Sequence, residues 1–229
     1  MINLKEVERQ CLKKQTLHGV NIFTLFPHQL NKVIDIVFEQ CKHELQTHSD
    51  MNWQYPWLSI PTAKKRKVYH HKPIPRLANV VNVILSNLSK THQIDVRHTK
   101  SRGPYYTYFV AKKYRYKTDW ICIPEPERFI LAKDYYKTLL HEMSHAACSR
   151  TRLCLKFMKD EEEIGVEASA LIICFLSGYN LWESCLGYMT NWSYDKNKKL
   201  CLSTKAQWEG IKSKTKRIVR YLLYGTDRI

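Results

Sequence analysis

The sequence predicts an α+β fold, with a small sheet and a long histidine-bearing helix preceded by a mostly helical N-terminal region. Three observations carry this. Apolar residues recur at helical spacing in several windows of ten or more residues. Short segments rich in Tyr, Val, Ile and Trp cluster between Ile94 and Ile123 and read as strands. These strands form one block between helical blocks, which is the α+β order.

In chain order, Leu30, Val33, Ile34, Ile36, Val37 and Cys41 mark a helix over about 30–41, with Pro27 just ahead of it. From Met51 to Lys67 the pattern breaks into Trp, Pro and basic residues, which reads as a loop and as the best place for a domain boundary. The chain is thus expected to divide into a helical region, 1–60, and a larger domain, 61–229. Pro75 opens a second helix, with Leu77, Val80, Val81, Ile84, Leu85 and Leu88 on its buried side. Strands follow at about 94–97, 105–110 and 120–123. After Pro124-Glu125-Pro126, helices are expected over about 134–150, over 161–177 with Gly178 as its stop, and over 204–223.

At 229 residues, 44% hydrophobic and 25% charged, the chain can bury a core, and disorder is not expected. No apolar run approaches the roughly 18 residues of a membrane span, and Met-Ile-Asn-Leu-Lys-Glu does not resemble a secretory signal. A cytoplasmic protein without membrane partners is the expectation. Eight cysteines include no C-x-x-C, which argues against a zinc ribbon or a thioredoxin-like motif and for reduced, structural thiols.

The formal charge is +16 and unevenly placed. From Pro61 to Lys117, 14 Lys or Arg stand against one acid, Asp95; from Lys196 to Arg220, Glu209 is the only acid. Segregated positive charge attracts polyanions, nucleic acid above all, although a basic surface can also be merely solvated. Candidate phosphate contacts are Lys64, Lys65, Arg66 and Lys67, together with Lys112, Lys113 and Arg115. The latter three follow a tyrosine-rich stretch, a mixture suited to single-stranded DNA. Tyr106 and Tyr108 themselves read better as strand residues.

The chemistry centres on His141-Glu142-Met143-Ser144-His145. Histidines four apart on a helix project from one face, so two imidazoles can grip one Zn2+. Glu142 is rotated about 100° from His141, which lets it serve water activated by the metal as general base. Leu139, Met143 and Ala146 lie on another side of the helix. The competing view makes the two residues ordinary histidines, one capping and one exposed. A third ligand is expected from the next helix, where Glu163 and Glu167 share a face. Glu163 is favoured as ligand and Glu167 as outer support, with the reverse left open. Asp160 and Glu163 can alternatively be read as a capping-box pair. The His70-His71 pair is a weaker metal candidate.

The run Tyr114 to Pro124, the segment Tyr135-Tyr136-Lys137-Thr138-Leu139-Leu140-His141-Glu142, the pair Arg152-Leu153, the acidic Glu162-Glu163-Ile164-Gly165-Val166-Glu167 and the stretch Tyr188 to Trp192 together resemble a known family. It is the zincin-like C-terminal domain of ArdC-type antirestriction proteins, carried by plasmids and other mobile elements. The resemblance covers about residues 92–225. It implies a zincin fold, His141, His145 and Glu163 on zinc, and Glu142 as general base. It also implies association with single-stranded DNA and protection of incoming DNA. The family usually has a Trp-Thr-Gly-like turn after the second histidine, where this chain reads Ala146-Ala147-Cys148.

The leading expectation is therefore a zinc metallopeptidase-like protein of a mobile-element or DNA-processing system, acting on a protein or peptide. The alternatives are a non-catalytic DNA-binding or antirestriction protein with structural zinc, and a small peptidase whose basic surface selects acidic partners.

Overall fold

The computed structural model describes residues 27–47, 72–99, 104–110, 117–194, 202 and 204–228. Helix α1 spans Pro27–Thr47 and α2 spans Pro75–Ser89. Three strands follow, β1 (Ile94–Thr99), β2 (Tyr105–Val110) and β3 (Lys117–Pro124), then a 3-10 turn at Pro126–Arg128. The remaining helices are α3 (Ala132–Cys148), α4 (Lys159–Leu176), α5 (Trp182–Ser193) and α6 (Lys205–Tyr224).

Local sequence explains some of the ends. Pro75 sits in the first turn of α2, where its missing N–H has no partner to lose. Thr204 caps α6: its hydroxyl accepts from the Gln207 N–H at 3.2 Å, and the Gln207 side chain accepts from the Thr204 N–H at 3.1 Å. Gly225 closes the same helix at φ 76°, a left-handed conformation that suits a residue without Cβ. Helix α1 runs six residues past the expected end because Leu45, one turn beyond Cys41, continues its buried stripe. Helix α5 was not foreseen.

The sheet has the order β1-β3-β2, with β1 parallel and β2 antiparallel to the central β3. Ile121 and Ile123 of β3 are fully buried, so the middle strand anchors the sheet to the helices. Helix α3 packs against both α4 and the sheet and is buried on nearly every side, including Leu139, Leu140, Met143, Ala146 and Ala147. The core therefore takes up more of α3 than the single face expected from Leu139, Met143 and Ala146.

Helix α1 shares this core. Leu30, Ile34 and Phe38 are buried, at about 1.5–3 kcal/mol each, and Phe38 meets Trp208 of α6 edge to face at 6.1 Å between centroids. Ion pairs flank that contact: Lys212 with Glu39 at 2.8 Å and Lys216 with Asp35 at 2.6 Å. The boundary expected near residue 60 and the basic run Lys64 to Lys67 lie outside the described residues, as do Lys112, Lys113, Arg115 and the His70-His71 pair.

One buried cation ties four pieces together. The Arg152 guanidinium bonds the Asp119 carboxylate of β3 at 2.5 Å, the Leu88 carbonyl of α2 at 3.2 Å, the His92 carbonyl before β1 at 3.1 Å and the Ala146 carbonyl of α3 at 3.3 Å. Both charged side chains are almost fully buried, at 0% and 2% exposure. Removing one partner of such a pair leaves an uncompensated charge in the core. Asp119→Asn is expected to cost about 3–5 kcal/mol, read as a lowered urea midpoint; a midpoint equal to wild type would show that Arg152 does not brace the fold.

Candidate metal centre

Helices α3 and α4 face each other with an alternating ladder of charge. Lys137, His141 and His145 follow one another at four-residue spacing on α3, and so share a face. Glu162, Glu163 and Glu167 answer from α4, and the pairings run in opposite directions along the two helices. Lys137 Nζ meets Glu167 Oε1 at 2.7 Å. The other oxygen of Glu167 lies 2.7 Å from His141 Nδ1. His145 Nδ1 lies 2.8 Å from Glu162 Oε1.

These contacts set the tautomers. An ionised carboxylate can only accept, so each histidine donates from Nδ1 and turns the lone pair of Nε2 the other way. The two Nε2 atoms are 3.2 Å apart. Glu163 stands beside both, with Oε2 3.4 Å from His141 Nε2 and Oε1 3.6 Å from His145 Nε2. With neutral rings, three acceptors converge on one point and none of them donates to another. A cation satisfies that arrangement.

The spacing fits zinc. Bonds of about 2.0–2.1 Å at tetrahedral angles put neighbouring donor atoms roughly 3.3–3.4 Å apart. The three separations observed here bracket that value, and one donor atom from each of His141, His145 and Glu163 lies within 4.8 Å of the other two. Two imidazoles and a carboxylate also form one of the donor sets used for catalytic zinc. The same convergence favours protons: burial opposes the charging of His145, but Glu162 and Glu163 prevail and hold its pKa up to about 10. For His141 burial again opposes, and Glu163 and Glu167 raise the pKa. Burial likewise resists ionisation of Glu167, yet Lys137 and His141 hold its pKa down to about 2.

Glu142 is buried and lines a cavity of about 210 Å³ that also borders His141, Lys137, Thr138, Glu167 and Tyr188. The expected base thus borders the same space as the first histidine. Tyr188 donates to Glu163 Oε2 at 2.7 Å and packs edge-on against the His141 ring at 5.2 Å. Beyond it, Trp192 follows at 6.3 Å, under the Lys159 ammonium.

The fold gathers His141, His145 and Glu163 into one group, with Glu167 on the Nδ1 side of His141 and Glu142 on the adjoining cavity. Several readings change. Neither histidine is exposed, and neither caps a helix: His141 is buried and His145 half-buried. Helix α4 begins at Lys159, and it is Glu161 whose carboxylate accepts from the Met158 N–H, at 3.4 Å, so Asp160 and Glu163 form no cap. Glu162, assigned above only to its acidic segment, holds His145. Lys137 and Tyr188 gave no functional signal beyond the resemblance, although Lys137 stands one turn before His141 on the same face.

An H-E-x-x-H helix beside a small mixed sheet, with a carboxylate returned by the following helix, is an arrangement able to hold one zinc ion. Residues 87–193 match the family described as zincin-like metallopeptidase (MPTase-PolyVal), a span that runs from the end of α2 to the end of α5 and includes the whole histidine–glutamate group. No curated protein and no solved structure matches the chain.

Elemental analysis is expected to find about one zinc per chain in the wild type and none in His141→Ala/His145→Ala. Glu167→Gln is expected to keep zinc with affinity lower by about 10–100-fold, as for an outer partner of a ligand. Zinc retained by the double variant would place the metal elsewhere, and zinc absent from the wild type would remove the site.

Proposed function

We propose that the protein is a zinc-dependent peptidase of a mobile-element or DNA-processing system, with His141, His145 and Glu163 as metal ligands and Glu142 as general base. The observation that carries this reading is the convergence of three acceptors beside a cavity that Glu142 also lines. Zinc held there would make water more acidic and polarise the carbonyl to be attacked.

The remaining chemistry belongs to the chain. Glu142 takes a proton from water as the water oxygen bonds to the peptide carbon, then gives it to the amine as the C–N bond breaks. Glu167 and Glu162 hold the two imidazoles in the tautomer that a metal ligand needs. Tyr188 keeps one Glu163 oxygen fixed. Helix α3 is positioned by an extensive apolar core around Leu140, Met143 and Ala146, which speaks for a catalytic ion over one needed to hold the fold.

Association with DNA is supported by the formal charge of +16, by the concentration of cations between Pro61 and Lys117, and by the resemblance to antirestriction proteins. The second basic stretch supports it less. On α6, Lys212, Lys214, Lys216 and Arg217 pair with Glu39, Glu161, Asp35 and Asp227, and Arg220 bonds Asn31.

Glu142→Gln is expected to keep its zinc and to lose hydrolysis of a peptide library by about 10²–10⁴-fold. Activity equal to wild type would remove Glu142 from the chemistry and return the protein to the binding-only reading. Single-stranded DNA should bind with a steep salt dependence. Replacing Lys64, Lys65, Arg66 and Lys67 by alanine should lower the slope of log affinity against log salt by up to about 0.7 per lost phosphate contact. A wild-type affinity indifferent to salt would sink the DNA association.

A further inference from the structure

We propose that Lys137 is a positioning residue that keeps Glu167 off the metal, so that the choice between two equivalent glutamates of α4 is made by a lysine on α3. The inference rests on the metal-site reading above and deepens it.

Glu163 and Glu167 are four residues apart on one face of α4, and each lies within reach of His141. Both are carboxylates on stems of equal length, so neither the residue type nor the helix distinguishes them. What distinguishes them is which donors they meet. Glu167 has both oxygens engaged, one by the Lys137 ammonium and one by His141 Nδ1, each at 2.7 Å. Glu163 receives the Tyr188 hydroxyl on Oε2, while its Oε1 lies on the Nε2 side of His145. A carboxylate with a buried ammonium on one oxygen and an imidazole N–H on the other is held to those two donors, and turning it toward the metal would break a charged hydrogen bond.

The surroundings make that restraint necessary. Glu142, Glu162, Glu163 and Glu167 crowd one region, and Lys137 is the ammonium that reaches into it, with its side chain 4% exposed and also bonded to Ser184 Oγ at 3.3 Å. With the ammonium removed, Glu167 would be a nearly dry anion that has lost its charged partner. Its closest strong cation would then be the metal, one side chain away through His141. Turning toward it would add a ligand, release His141 Nδ1 and fill the position that water and substrate must enter.

The test is cobalt substitution, since the visible spectrum of Co2+ reports coordination number without reference to activity. Wild type, Lys137→Met, and Lys137→Met/Glu167→Gln are loaded with Co2+, and zinc affinity is measured in parallel by chelator competition. The single variant is expected to shift the spectrum from the four-coordinate to a higher-coordinate form and to weaken zinc by about 10–100-fold. The double variant removes both charges of the pair and is expected to restore the four-coordinate spectrum. If Lys137→Met does not fold, Lys137→Gln takes its place, keeping an N–H donor without the charge, and the same shift is expected at smaller amplitude. A wild-type spectrum and wild-type zinc affinity in whichever single variant folds would overturn the role of Lys137. Failure of the wild type to take up either metal would instead overturn the metal site beneath it.

Discussion

The facing of α3 and α4 is the contact on which the rest of the molecule turns. Two helices place carboxylates and imidazoles against each other in a largely buried seam, and burial penalises the charges of His141, His145, Glu163 and Glu167. The seam is tolerable because every member meets a complementary partner: ammonium to carboxylate, carboxylate to Nδ1, and Nε2 toward the place a cation would occupy. The surrounding apolar residues fix the helices closely enough for those distances to hold. Packing thus sets the geometry, and the polar ladder determines what the geometry can bind.

Much of this was legible in the sequence because it is local. The two histidines and the pair of acids on the next helix are read from i,i+4 spacing, Glu142 from its place between the histidines, and Pro75 and Thr204 mark helix starts. The illegible parts depend on partners far along the chain. Spacing alone could not tell Glu163 from Glu167, because their hydrogen-bond partners, Tyr188 for one and Lys137 for the other, come from α5 and α3. The clamp of Arg152 on Asp119 joins residues that only a family resemblance had set side by side. Helix α5 was missed although Trp182, Cys185, Leu186, Met189 and Trp192 stand at helical spacing, because the segment is short and carries Gly187 at its middle.

The basic C-terminal helix shows the same limit from the other direction. Along the sequence its cations have Glu209 as their one acidic neighbour, which invites a polyanion. In the fold, acids from α1, from α4 and from the residues after α6 come to meet them, so the helix acts as a clasp holding α1 to the domain. Most of the +16 excess belongs to segments outside the described residues, among them Lys64 to Lys67 and Lys112 to Arg115. Charge density read along a chain is a poor guide to the field of a folded surface when its counter-charges are distant in sequence.

The apolar packing of α3 has one more consequence. A zinc finger discriminates among ions partly by refusing to fold around the wrong one. Here Leu140, Met143 and Ala146 are buried against the rest of the core and hold the histidines in place without help from the ion. A preformed pair of imidazoles with a carboxylate follows the general order of divalent affinities, in which copper outranks zinc. For an ion bound in this seam, discrimination would pass in part from the protein to its surroundings, and the metals available would help to decide which ion enters.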